Sequence, residues 1–236
     1  MTTALHYKPR PSVVPKKQSR TEMAYSAIKA EINAGKIAPG SFINIPEIEQ
    51  QLGMSRTPVR EAMLRLQNEK VVEILPKRGI RLLSLSVHDL AEYYQLVAGL
   101  EGQAIANICA RGLTRTDIMP LLYALSGEET ALRDLDDAAW QDADEKFYRG
   151  LFILNGNKKL QEAGLAYRDI MQRGHFVALR HLDRAHKERC LRAQNELKEL
   201  LLAARAAAAR EVHFDHSEWL RQTIIETLAA ENITTL

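Results

Sequence analysis

At 236 residues, with 46% hydrophobic and 26% charged side chains, the chain can hold two ordinary cores and is too apolar to be a disordered polyelectrolyte. Its formal net charge of +2 conceals a polarised molecule: residues 1–85 carry 14 Lys+Arg against 7 Asp+Glu, and the remainder 18 against 23. Cys109 and Cys190 form no CxxC pair, and neither an 18-residue apolar run nor an apolar leader is present, which argues against zinc knuckles, disulfide frameworks and membrane spans, and for a cytoplasmic protein.

Residues 1–20 hold three prolines and five basic side chains and read as a flexible arm able to add nonspecific phosphate contacts. Asn44 to Leu52 (NIPEIEQQL) is expected to be a short helix, with Gly53 supplying a tight turn. The next stretch, GMSRTPVREAMLRLQ, starts a second helix. Ser55 or Thr57 can cap it, and Pro58 falls in the first turn, where its missing N–H costs nothing. Val59, Ala62, Met63 and Leu66 share one apolar face, and Arg56 and Arg60 stand one turn apart on another. Arginines at that spacing commonly do no more than solvate a helix. Here the preceding helix and turn make a helix-turn-helix, whose second helix offers two guanidinium forks to phosphate or to guanine. Val71 to Leu75 and Ile80 to Leu85 are strand-like runs around Pro76-Lys77-Arg78-Gly79, predicting a two-stranded wing with Lys77 and Arg78 at its tip.

Residues 21–85 resemble the winged helix-turn-helix of GntR-type bacterial transcription regulators, through GKIAPG at Gly35, LGMSRTPVREAMLRL at Leu52 and the wing PKRG at Pro76. The resemblance implies DNA contact by Ser55, Arg56, Thr57 and Arg60, and by Arg78 and Gly79 in the wing beside Lys77. Many members place an arginine nine residues before the serine, where this chain has Pro46.

From Val87 onward the helical period dominates. Helices are expected at Val87 to Arg111, Thr116 to Arg133, Asp137 to Leu154, Leu160 to Leu179, His186 to Ala204 and Ala207 to Glu231, with Gly127 as a candidate break in the second. Short loops between them predict an antiparallel bundle, so the fold class is mostly α: an N-terminal winged helix-turn-helix followed by an all-α bundle over residues 86–236.

This half resembles the FCD effector domain of the FadR subgroup, through YYQLVAGLEGQAIA near Tyr93 and DEKFYRGLFILNGNKKL at Asp144. In metal-binding members, the Asp and His of a D-x-x-F-H segment, the His of an E-H pair and a His in the last helix hold one divalent ion. Here those positions read as Asp144, Tyr148, Asn195 (in Gln194-Asn195) and His216, a vestigial set from which no metal cofactor is expected. The family's early-helix arginine, a partner for anionic effectors, is Val97. Arg168, Arg173 and His175 on another helix could replace its charge, although helical arginines usually lie at the surface. His213 and His216 share a face with Asp215 nearby; His175, His181 and His186, six and five residues apart, do not share one. The expected effector residues are therefore Asp144, Tyr148, Asn195, His216, Arg168 and His213.

The leading expectation is a homodimeric regulator, most simply a repressor, that binds an inverted-repeat operator and senses a small metabolite. A constitutive DNA binder without effector is one rival, and a polar-lined cavity in the bundle discriminates against it. An all-α enzyme with a DNA anchor is the other, and no Ser/His/Asp order, GxGxxG or P-loop supports it.

Overall fold

The computed structural model describes residues 18–33 and 35–236, so most of the expected basic arm, residues 1–17, lies outside the described residues, as do the side chains of Asn33 and Arg173. The N-terminal unit consists of α1 (Arg20–Asn33), β1 (Phe42–Ile43), α2 (Ile45–Leu52), α3 (Arg56–Asn68), β2 (Val72–Leu75) and β3 (Gly79–Leu82). Gly53 ends α2 in the left-handed conformation, φ 59°, and its N–H returns to the last turn, so the chain reverses at once into α3. The three helices close on a core that includes Ile28, Ile32, Val59, Met63 and Leu66, with the sheet covering it through Val72 and Leu82.

The sheet has one strand more than expected. β3 is central, pairing antiparallel with β2 in the register Glu73↔Arg81 and with β1 in the register Phe42↔Arg81. The Glu73–Arg81 register is reinforced by a 2.7 Å ion pair.

Six helices follow: α4 (Val87–Arg111), α5 (Met119–Asp134), α6 (Asp137–Leu154), α7 (Lys158–Leu179), α8 (Arg184–Leu202) and α9 (Ala206–Ala230). Their starts are chemical. Ser86 and Asp89 form a capping box on α4, and the Asp136, Asn157 and Asp183 side chains cap α6, α7 and α8. The last two caps set starts two residues earlier than periodicity alone suggests. Gly127 does not break α5. A Cβ there would stand 3.2 Å from that of Ala143, so the glycine permits close packing of α5 on α6. Helix α4 lies against α6, α7 and α9, and α8 runs between α5 and α9. The chain end returns to the start of α4, where Leu85 and Leu236 exchange backbone hydrogen bonds of 2.8 and 2.7 Å.

Candidate functional site

Helix α3 buries Pro58, Val59, Ala62, Met63 and Leu66, and this fixes which side faces out: Ser55, Arg56, Thr57 and Arg60 are all exposed. Ser55 occupies the N-cap position with extended backbone, yet its hydroxyl makes no capping bond. At the wing, Lys77 and Gly79 both have positive φ, 62° and 109°, which folds Pro76 to Arg78 into a tight turn. Helix and wing together bound a groove of about 470 Å³ whose lining includes Arg56, Arg60, Lys77 and Gly79. The wing tip places Arg78 outside that lining, and Ser55 and Thr57 flank the start of the helix. Neighbouring Arg65 and Arg81 are held by Glu22 and Glu73, whereas Arg56, Arg60, Lys77 and Arg78 have no carboxylate partner among the described residues. Four cations are thus left to meet an external anion.

The second site is inside the bundle. Helices α4, α7 and α9 and Tyr148 of α6 surround a cavity of about 20 Å³, room for about one water, lined by Tyr94, Glu101, Tyr148, Arg168, His175 and His216 among others. Arg168 is only 3% exposed. Its Nη1 donates to Glu101 Oε1 at 2.6 Å, its Nη2 to Glu145 Oε2 at 2.5 Å, and its plane lies over the Tyr148 ring at 4.8 Å. Asp144 accepts from Gln194 Nε2 at 2.8 Å on one oxygen and faces His175 Nε2 at 3.3 Å with the other. The other ring nitrogen of His175 meets the Tyr94 hydroxyl.

Several buried polar atoms in this region lack partners: both nitrogens of His216, Nδ1 of His213, Oε1 of Gln194 and both oxygens of Glu128. Leaving such groups unmade is costly; of these residues His216 lines the cavity and Gln194 reaches it through Asp144. Burial holds the His213 and His216 imidazoles neutral, down to about 3 and about 4. Burial pushes Glu101 up to about 7 despite the opposing Arg168 charge, and Glu128 up to about 10, reinforced by Asp144 and partly offset by the Gln194 amide. The Tyr148 phenol is raised well above its ordinary range, again by burial first.

Three corrections to the sequence reading follow. Asn195 does not face the cavity: its Nδ2 donates to Leu191 O of its own helix and its Oδ1 accepts from Lys198, while Gln194, rotated about 100° around α8, reaches Asp144. His175 is in the site, where it converges with Tyr94 of α4, Asp144 of α6 and His216 of α9 and not with His181 or His186. His213 stands behind the cavity wall, with Nε2 3.3 Å from Ala98 O and 3.4 Å from Glu101 Oε2. Sequence reasoning also passed over Tyr94, Glu128 and Glu145. The available signal was a carboxylate on an apolar stripe, as at Glu101 between Val97, Ala98, Ala104 and Ile105.

A divalent ion does not fit this donor set. Both Asp144 oxygens are engaged, Tyr148 keeps its proton, and the Arg168 guanidinium shares the cavity. No three His, Cys, Asp or Glu side chains among the described residues are grouped to hold a metal. No helix among the described residues is long and apolar enough to cross a membrane.

Comparison with known proteins places two family models on the chain: bacterial regulatory proteins, gntR family, over residues 20–82, and the FCD domain over residues 92–218. An uncharacterized HTH-type transcriptional regulator in the TAR-I ttuE-ttuC' intergenic region of Agrobacterium vitis is 40% identical over 134 residues, covering 56% of this chain and 78% of that protein. The HTH-type transcriptional repressor GlaR of Escherichia coli is 23% identical over 202 residues, covering 81% and 90%. Among solved structures, E. coli McbR/YncC superposes with a TM-score of 0.78 at 21% identity, covering 89% of this chain and 99% of that one, a likeness of fold.

Proposed function

The chain belongs to the gntR family of bacterial regulatory proteins and carries an FCD domain, and from that premise we propose a cytoplasmic, metal-independent repressor whose operator affinity is set by a small metabolite bound in the bundle. It is a DNA-binding transcription regulator; what the reading adds is the sensing site, the sign of regulation and the dimer. The observation that carries it is the set of buried, unpartnered polar atoms at His216, which lines the cavity with Arg168 and Glu101, and at Gln194 and Glu128, which are linked to it through Asp144. A constitutive binder gains nothing from unmade hydrogen bonds in its core, whereas a ligand that completes them binds the native state selectively.

Operator reading is assigned to Ser55, Arg56, Thr57 and Arg60 with Lys77, Arg78 and Gly79 of the wing. Each subunit contributes one recognition helix, so a homodimer on an inverted repeat, with half-sites about one helical turn apart, is the arrangement that lets two helices engage one face of the duplex. Repression is favoured because GlaR, similar over most of its length, is named a repressor.

A thermal-shift screen of the purified protein against small metabolites, followed by mobility-shift titration with each hit, tests the reading. A hit should raise the melting temperature and change operator affinity, and Gln194→Ala with Tyr148→Phe should weaken both responses. A hit whose binding leaves operator affinity unchanged would overturn it.

A further inference from the structure

The buried guanidinium in the cavity is one end of a chain of alternating charges that reaches the recognition helix. Glu101 and Arg168 are 2.6 Å apart, and Arg168 is 2.5 Å from Glu145. Arg149 Nη1 lies 3.4 Å from Glu145 and 2.6 Å from Asp169. Asp169 of α7 is 3.1 Å from Lys29 of α1, and Lys29 is 3.2 Å from Glu69, the residue that caps the C-terminus of α3. Glu69 in turn holds Arg65 of α3 at 3.2 Å.

This array differs from the pairs scattered on the surface. Lys146 and Asp142, for instance, are each 64% exposed, whereas Lys29, Glu69 and Asp169 are 15 to 19% exposed and Arg168, Glu101 and Glu145 at most 5%; Arg149 is 32% exposed, and Arg65 at the far end is 46% exposed. Exposed pairs contribute little and are screened by salt; shielded ones are not. Burial opposes the Lys29 charge, but Asp169, the Tyr25 hydroxyl and Glu69 together outweigh it and keep the amine above its ordinary range. Lys29–Asp169 is also the one ion pair, among the described residues, that joins residues before 85 to residues after it.

We propose that Lys29, Asp169 and Arg149 are positioning residues that transmit the charge state of the bundle cavity to the recognition helix; this rests on the cavity being the effector site. Glu145 Oε1 is shared between Arg168 Nε at 3.3 Å and Arg149 at 3.4 Å. A group that enters the cavity must compete for Arg168 or Glu101, which line it. When Arg168 loosens, Glu145 turns to Arg149, Arg149 relaxes its hold on Asp169, and Asp169 draws Lys29 away from Glu69 and the end of α3. Alternating signs make each link answer the previous one in the opposite sense. Two packed arrangements of one network, biased from one end, are what a coupling between sites requires.

The test needs neither ligand nor operator. Hydrogen–deuterium exchange is followed in the full-length protein for α3 amides, with urea unfolding giving the global stability against which α3 protection is normalised. Glu145→Gln should change α3 protection about 2- to 30-fold, the span of such couplings. In a Lys29→Met background the same substitution should change nothing further, and Lys29→Arg, which keeps the charge between Asp169 and Glu69, should retain the response. Should Glu145→Gln fail to fold, Glu101→Gln, which retains the hydrogen-bonding shape without charge, carries the same comparison. An α3 response that persists undiminished with Lys29→Met, or no response in either background, overturns the proposal. Neither result touches the effector reading, which stands or falls on metabolite binding and its effect on operator affinity.

Discussion

Arg168 and Glu145 meet side-on, Nε to Oε2 at 3.1 Å and Nη2 to the same oxygen at 2.5 Å, in an interior where both are at most 5% exposed. Removing one member of a buried pair strands the other charge, which costs about 3 to 5 kcal/mol in typical cases. Arg168→Met is therefore expected to lose roughly that much stability in urea unfolding, because Glu101 loses its counter-ion and Glu145 keeps only Arg149, 3.4 Å away. Adding Glu101→Gln and Glu145→Gln should recover a large part. A single variant as stable as the parent would mean that water already solvates the cluster.

At the groove, Arg56 and Arg60 project from the face of α3 opposite its buried stripe, with no carboxylate to neutralise them among the described residues. Alanine at either position is expected to cost about 1 to 3 kcal/mol on an operator selected from a random duplex library if it reads a base. If one instead holds phosphate, its loss lowers the salt slope by about one. The fold should be unaffected. Mobility-shift titrations at several salt concentrations separate these outcomes, and parental affinity in the double variant would remove the helix from the interface.

What could be read before the structure was local. Val59, Ala62, Met63 and Leu66 repeat at the helical period and do form the buried side of α3. Strand β1 escaped because its two residues acquire their pairing only from β3, some 38 positions later. The same distinction explains the cavity. Whether Arg168 or His175 is buried depends on which carboxylates and hydroxyls the other helices bring, Glu101 and Tyr94 from α4 and Asp144 and Glu145 from α6, and no window of α7 contains that information. Choosing between Gln194 and Asn195 required the phase of α8 to better than one residue, and adjacent positions differ by about 100°.

Glu128 makes the stability of this protein depend on pH in a predictable direction. Unfolded, its carboxyl loses its proton near the ordinary value of 4.5; folded, burial holds the proton up to about 10. Between those values the native state binds one more proton, so this group's contribution to stability falls as pH rises, by about 1.4 kcal/mol per unit. Glu128→Gln removes the titration. The stability difference between variant and parent, from urea unfolding at each pH, should move in the variant's favour from pH 5 to pH 9, while other groups cancel in the subtraction. A constant difference would show that the carboxyl is solvated.

Related domains bind a metal that this one is proposed to lack. In sequence the two imidazoles of the metal-binding pattern are replaced by Tyr148 and Asn195, and in space Gln194 stands beside Asp144 in place of Asn195; the Tyr148 phenol keeps its proton and the Gln194 amide is a weak ligand. His216 retains two unpartnered nitrogens and is neutral at physiological pH, down at about 4, so it would release no proton on binding a cation. The parent is expected to show no melting shift with nickel or zinc and no change in operator affinity on chelation. Combining Tyr148→His with Gln194→His places two more neutral donors beside Asp144 and His216. That variant should be stabilised by about 2.7 kcal/mol when the ion is at 100 times its dissociation constant, reversibly on adding chelator. Equal stabilisation of the parent by the ion, or one equivalent of metal surviving its dialysis, would show that Asp144 and His216 recruit a metal without those donors.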